Sequence, residues 1–171
     1  MVSVESIDPF RLPTTMNHWL MKSELDVYPY SQLVEDGWTH WDGVRNYQAR
    51  NMMRDDMKVG DLVLFYHSNT KPPHVAGVAR VRREGYGDFT SWDTTSKYHD
   101  EKSTAENPRW FMVDIEPVRE LSMVPLQDMK ENPNLDGMPL LRRGQRLSVQ
   151  PVSEEHFAEV LRMAGVDAST L

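Results

Sequence analysis

Five consecutive apolar residues, Leu62-Val63-Leu64-Phe65-Tyr66, stand between the turn-forming Gly60-Asp61 and the polar His67-Ser68-Asn69. An uninterrupted run of this length suits a strand buried on both of its faces, which requires packed layers above and below it.

Further strand-like segments surround this run. Trp19-Leu20-Met21 ends in Lys22-Ser23-Glu24. After Lys71-Pro72-Pro73, which cannot continue a ladder because proline lacks the amide donor, Val75 to Arg83 alternates. Strict alternation puts Val75, Gly77, Ala79 and Val81 on one side, and Ala76, Val78, Arg80 and Arg82 on the other. Trp110 to Ile115 sets Phe111, Val113 and Ile115 against Trp110, Met112 and Asp114, with Val118 and Leu121 extending it past Pro117.

Helical signals are fewer. Ser31 to Asp36 reads as a short helix with Ser31 as its cap and Gly37 as its stop. Asn46 caps a second pattern, in which Tyr47, Ala49, Arg50, Met53 and Met57 recur at spacings of three and four. Pro125 to Met129 allows a single turn. Ser153 caps a last helix whose apolar face is Phe157, Val160, Leu161 and Ala164, with Glu154-Glu155 at its positive end and Gly165 beyond it.

Strands outnumber helices and do not alternate with them regularly, which argues against a parallel doubly wound sheet. The expectation is an α+β chain built as a small, mixed, mostly antiparallel β-barrel with flanking helices. With 171 residues, 39% of them hydrophobic, the chain supports one well-buried core. Met1 to Thr15 lacks either periodicity and is expected to be a disordered or extended tail before a domain spanning 16–171.

Charge and composition exclude several function classes. A net charge of -7 argues against coating long duplexes, since that affinity comes from phosphate neutralisation, so any nucleic-acid contact is local. Basic clusters do occur at Arg80, Arg82, Arg83 and at Arg142, Arg143, Arg146. The absence of cysteine removes disulfides, thiolate catalysis and thiolate metal sites. No apolar stretch approaches the ~20 residues that span a bilayer, and no secretory start is present, so a soluble intracellular chain is expected.

The segment Trp41-Asp42-Gly43-Val44-Arg45-Asn46-Tyr47-Gln48-Ala49-Arg50 crowds an aromatic, a carboxylate, two guanidiniums and two amides. Burying such groups unpartnered costs roughly 1 to 3 kcal/mol each, so a planar polar ligand is a natural partner. Trp41 suits stacking, Asp42 suits an exocyclic amine and Asn46 suits a ring edge, the tools that read an unstacked base. The plainer alternative is that Trp41 packs, Asn46 only caps and Asp42 pairs with Arg45.

Lys22 and Ser23 end one strand, and Tyr66, His67 and Ser68 end the buried one, so both ends can reach a common cavity; His67 taken alone also suits a satisfied core histidine. Arg146-Leu147-Ser148-Val149-Gln150-Pro151 alternates with Arg146 and Ser148 on one face, suited to a phosphate or to an edge strand. The polar Glu84 to Pro108 segment, with Tyr86, Phe89, Trp92 and Tyr98 scattered in it, reads as a functional loop.

Two other classes fit some residues. His67 and Asp42 offer an acid and a base for a nucleotide hydrolase or base-modification enzyme, although no glycine-flanked serine or phosphate-cradling loop accompanies them. Met52, Met53 and Met57 offer an adaptable face for a protein partner, although methionines at helical spacing more often fill a core. His40 and Asp42 lack a closely spaced third ligand, so neither a metal nor another cofactor is expected.

Four motifs, in order, carry a family resemblance: His18-Trp19-Leu20-Met21-Lys22-Ser23-Glu24, the Trp41 to Arg50 segment, Phe65-Tyr66-His67-Ser68-Asn69, and Arg146 to Pro151. Together they resemble the EVE domain family, over about His18 to Ala164. The resemblance implies a PUA-like barrel related to the YTH readers of methylated adenosine, and recognition of a modified base such as 5-methylcytosine or 5-hydroxymethylcytosine in DNA or RNA. It further implies that Trp41, Asp42, Val44, Arg45 and Asn46 line one wall of a cavity and Lys22 and Ser23 another. Tyr66, His67 and Ser68 would lie beneath, with Arg146 and Ser148 at the mouth for phosphate.

Overall fold

The computed structural model describes residues 16–171; the expected tail, Met1 to Thr15, lies outside them. Among the described residues six strands are formed: β1 (His18–Glu24), β2 (Thr39–His40), β3 (Leu62–Ser68), β4 (His74–Gly87), β5 (Phe111–Pro125) and β6 (Val149–Val152). They make one sheet in the order β2-β5-β4-β3-β1-β6. Only the β1 and β3 pair is parallel; β1 with β6, β2 with β5, β3 with β4 and β4 with β5 are antiparallel. The sheet is therefore mixed and mostly antiparallel, and β2 and β6 stand at its two ends with one neighbour each.

The apolar run at 62–66 lies inside the sheet, between β1 and β4. Its side chains alternate between two cores: Leu62, Leu64 and Tyr66 enter one, Val63 and Phe65 the other. Helices α1 (Tyr30–Asp36) and α2 (Tyr47–Asn51) cover the Phe65 face through Leu33 and Ala49. Helices α3 (Leu126–Lys130) and α4 (Glu154–Met163) cover the Leu64 face through Met129, Phe157, Val160 and Leu161. The α+β class read from the sequence holds. Among the described residues no helix is long and apolar enough to cross a membrane.

Several local expectations change, each for a physical reason. Ser31 does not cap α1. Pro29 holds that position at φ -77°, ψ 159°, and its carbonyl accepts the first helical bonds, from Gln32 at 3.0 Å and Leu33 at 3.4 Å. The pattern after Asn46 is not one α-helix, because Met52–Asp56 is a π-helical turn closed by the Met57 amide on the Met52 carbonyl at 2.9 Å. That turn buries both Met53 and Met57 completely, so these methionines are core rather than a docking face. It also lies against β4, where a Cβ on Gly85 would fall 2.4 Å from the Met53 carbonyl oxygen.

Strict alternation fails in β4. Its pairing with β3 shifts there, Val75 facing Tyr66 and Gly77 facing Phe65 with Ala76 as the extra residue, so Val75 and Val78 share one core while Ala79 and Val81 share the other. Gly77 then faces the Tyr30 ring, which a Cβ would approach to 2.4 Å. Tyr30 donates its hydroxyl to the Val78 carbonyl at 2.8 Å, pinning α1 to the sheet.

A second tether holds the same helix. The Tyr30 amide donates to His67 Nε2 at 3.0 Å, so the ring proton sits on Nδ1, which faces His74 Nε2 at 3.0 Å. His74 directs its Nδ1 at the Pro72 carbonyl, 2.7 Å away. This chain of donors requires a neutral His67, and burial, reinforced by the neighbouring His74, pushes its pKa down to about 4.

Unfolded His67 titrates near 6.5, so between about 6.5 and about 4 the unfolded chain holds more protons and stability falls as pH drops. The expected loss is on the order of 2 to 3 kcal/mol by about pH 4. His67→Gln, whose amide can accept from Tyr30 and donate to His74, should lose correspondingly less. Urea unfolding across this pH range checks it; superimposable pH profiles for the two proteins would refute the assignment.

Candidate functional site

A cavity of about 550 Å³ opens where β1 ends, between the turn at Trp41 to Arg45 and a loop bearing Lys97 and Tyr98. Lys22, Ser23, Trp41, Asp42, Val44, Arg45 and Ser148, expected together from the sequence, all line it. The Lys22 amide donates to the Ser148 carbonyl at 2.8 Å, which joins the end of β1 to the segment leading into β6.

The lining is chemically mixed. Trp41 is fixed by its backbone amide on the Val113 carbonyl at 2.8 Å, and its ring meets Phe65 edge-on at 5.6 Å, leaving it half-buried on the cavity wall. Lys22 is half-buried with no carboxylate within salt-bridge distance among the described residues, and that burial lowers its pKa from the usual lysine value. Asp42 likewise makes no ion pair among them; it does not pair with Arg45. Ser23 donates to the Tyr28 carbonyl at 2.6 Å.

Arg45 is committed elsewhere. Its Nη1 lies 2.9 Å from Asp88 Oδ2 and its Nη2 donates to the Tyr98 carbonyl at 2.7 Å. Asp88 is fully buried and also accepts from the Gly43 amide at 2.9 Å and from the Thr90 amide and hydroxyl at 2.9 and 2.5 Å. Gly43 adopts φ 81°, and a Cβ there would sit 2.7 Å from the Tyr98 ring. One carboxylate thus ties the Trp41 turn to the loop that supplies the opposite wall.

Other predicted positions lie outside the lining. Asn46 is exposed and caps α2, accepting from the Ala49 amide at 3.0 Å. Tyr66 is buried in the core on the Leu64 face, where burial pushes its phenol up to about 12. His67 is committed to Tyr30 and His74. Ser68 donates to the Ser23 carbonyl at 3.5 Å, and Arg146 is exposed ahead of β6, which begins only at Val149.

Sequence reasoning missed Tyr28, Thr39, His40, Lys97 and Tyr98, all of which line the cavity. Tyr28 donates to Asp36 Oδ2 at 2.7 Å, and burial with this partner raises its phenol to about 12. Lys97 and Tyr98 come from the polar segment read as a functional loop, whose scattered aromatics were the available signal; nothing in the spacing picked out Asp88.

The pairing of His67 with Asp42 needed for hydrolysis is not assembled, since Asp42 lines the cavity and both nitrogens of His67 are engaged away from it. Among the described residues no group of three or more histidines and carboxylates is placed to hold a metal ion.

Removing Asp88 leaves a partly buried guanidinium and the Gly43 and Thr90 donors without their acceptor. Asp88→Ala should therefore cost about 3 to 5 kcal/mol in urea unfolding and speed amide exchange through the 89–100 loop. A stability within about 0.5 kcal/mol of wild type would sink this role.

Residues 17–163 match the family model described as the EVE domain. Human thymocyte nuclear protein 1 is 38% identical, the alignment covering 95% of this chain and 84% of that protein. A hypothetical protein from Leishmania major superposes with a TM-score of 0.83 at 47% identity, covering 88% of this chain and 96% of that one. The human THYN1 protein, solved in complex with DNA containing 5-methylcytosine, superposes with a TM-score of 0.82 at 37% identity, covering 89% and 99%. With its fold and most of its length accounted for in this way, the chain belongs to the EVE domain family.

Proposed function

We propose that this chain is a non-enzymatic reader of a modified base, such as 5-methylcytosine or 5-hydroxymethylcytosine, presented by DNA or RNA as a flipped or single-stranded nucleotide. The observation that carries the reading is one cavity in which an aromatic wall meets an unpaired carboxylate and a half-buried ammonium. Its size, about 550 Å³, suits a nucleoside. The relative solved with 5-methylcytosine-containing DNA supports the choice of ligand.

In this reading Trp41 stacks on the base, Asp42 accepts its exocyclic amine, and Lys22 and Ser23 donate to its remaining polar edge. Val44 supplies an apolar contact for the modifying group. Arg45 positions the wall, and Ser148 borders the mouth. Asn46 supports the same wall through its cap on α2, and Ser68 through its bond to Ser23. Tyr66 and His67 underpin the site from the sheet, and Arg146 meets a phosphate further out.

Flipping a base costs a few kcal/mol, which stacking at ~1 to 3 kcal/mol and edge hydrogen bonds offset. Modest affinity follows, with little attraction for unmodified duplex, in keeping with a net charge of -7. Residues 16–171 act as one EVE domain in this reading. The sheet would bend toward a PUA-like barrel at the register shifts between β4 and β5. Such a reader works inside the cell, in the cytoplasm of a bacterium or the nucleus of a eukaryote.

Trp41→Ala should abolish thermal stabilisation by modified nucleosides while the protein still melts cooperatively. A screen of modified and unmodified nucleosides by thermal shift checks this. Turnover of a nucleoside, lost in His67→Ala, would replace the reading with an enzymatic one; undiminished binding by Trp41→Ala would remove the ligand from this cavity.

A further inference from the structure

Beyond the cavity, a second hollow of about 550 Å³ opens against the same Arg45, Lys97 and Tyr98 side chains. Trp110 forms part of its wall and stacks on Tyr47, with ring centroids 4.9 Å apart and planes 27° from parallel. Tyr47 is 47% exposed, a large aromatic surface left open beside a polar hollow. Two guanidiniums flank its ring, Arg50 at 4.7 Å and Arg109 at 5.7 Å from the centroid.

Charge gives this surface its meaning. Arg50 is fixed by neutral acceptors, donating to the Arg109 carbonyl at 3.0 Å and to Asn51 Oδ1 at 2.8 and 3.0 Å. No carboxylate forms a salt bridge with it among the described residues; the nearby Asp55 is taken by Arg54 at 2.8 Å. Lys97 rests over the Tyr98 ring at 5.0 Å and is similarly uncompensated among them. Arg109 shares Asp100 at 3.6 Å, and that carboxylate is also held by Trp110 Nε1 at 2.8 Å. Asp100 and Glu101 border the second hollow, so an anion is repelled there and attracted at the Arg50 and Arg109 end.

In a chain of net charge -7, a guanidinium held in place by neutral acceptors keeps its full charge for an anion, and Arg50 lies over the ring that stacks on the wall of the second hollow. We propose that single-stranded nucleic acid flanking the recognised base crosses the Tyr98, Trp110 and Tyr47 surface and sets a backbone phosphate on Arg50 and Arg109. Continuity with the cavity through three shared side chains gives the strand its direction, and Tyr47 acts as a positioning residue that holds both guanidiniums. The proposal rests on the base-reading function above.

The test uses the full chain with two probes, free 5-methyl-2′-deoxycytidine and a short single-stranded oligonucleotide carrying one 5-methylcytosine. Arg50→Gln should weaken oligonucleotide binding about ten-fold and flatten the slope of log K against log salt by about 0.7, with nucleoside binding unchanged. Tyr47→Phe, which keeps the ring, should bind both probes like wild type, whereas Tyr47→Leu should reproduce the Arg50→Gln defect.

Unchanged oligonucleotide affinity and salt slope in both Arg50→Gln and Arg109→Gln would overturn the strand path and leave the cavity reading standing. A wild-type protein that binds neither probe would overturn both. Displacement of the oligonucleotide by an acidic peptide as effective as by unmodified single strand would reassign the surface to a protein partner.

Discussion

The cavity depends on one buried carboxylate. Asp88 gathers a guanidinium, two backbone amides and a hydroxyl from two segments that are far apart in the chain. A charge so removed from water is tolerable only because every acceptor position is used, and the requirement works in both directions. The loop from 88 to 100 cannot leave without stranding Arg45, and the Trp41 turn cannot shift without stranding Asp88. Rigidity of this sort allows polar groups at the cavity wall to stay oriented when no ligand is present.

The sheet supplies the frame on which that clamp is mounted. β3 is saturated with apolar contacts on both faces, and its alternation between two cores fixes the register of β1 and β4 beside it. From this frame, β1 delivers Lys22 and Ser23 to the cavity, and the Phe65 ring backs Trp41. Core and cavity therefore meet in the same few side chains: Phe65 is core on one side and the support of a cavity-lining ring on the other.

Much of this was legible in the sequence, and the failures share a cause. The central strand, the last helix with its Ser153 cap and the Asn46 cap depend on nearest neighbours along the chain, and each formed as read. Lys22, Ser23, Trp41, Asp42, Val44, Arg45 and Ser148 came together because strand ends and a costly polar turn leave local marks. Asp88 left none, since its partners at Gly43 and Arg45 are more than forty positions away. The π-helical turn and the β4 bulge each add a residue to a regular repeat, and a repeat cannot announce its own interruption. Ser31 lost the cap to Pro29 because a fixed extended residue already ended the preceding segment.

The single parallel pairing in the sheet, β1 beside β3, has a consequence for how the molecule assembles. Parallel neighbours cannot be joined by a tight turn and require a long crossover, and here the crossover carries α1, β2, the Trp41 turn and α2. The chain must close this loop before β3 can take its place next to β1, and such distant closures are slow. The wall bearing Trp41 and the strand bearing Lys22 are therefore mutually positioned by one long-range closure. The cavity they line is thus complete only when β1 and β3 are paired.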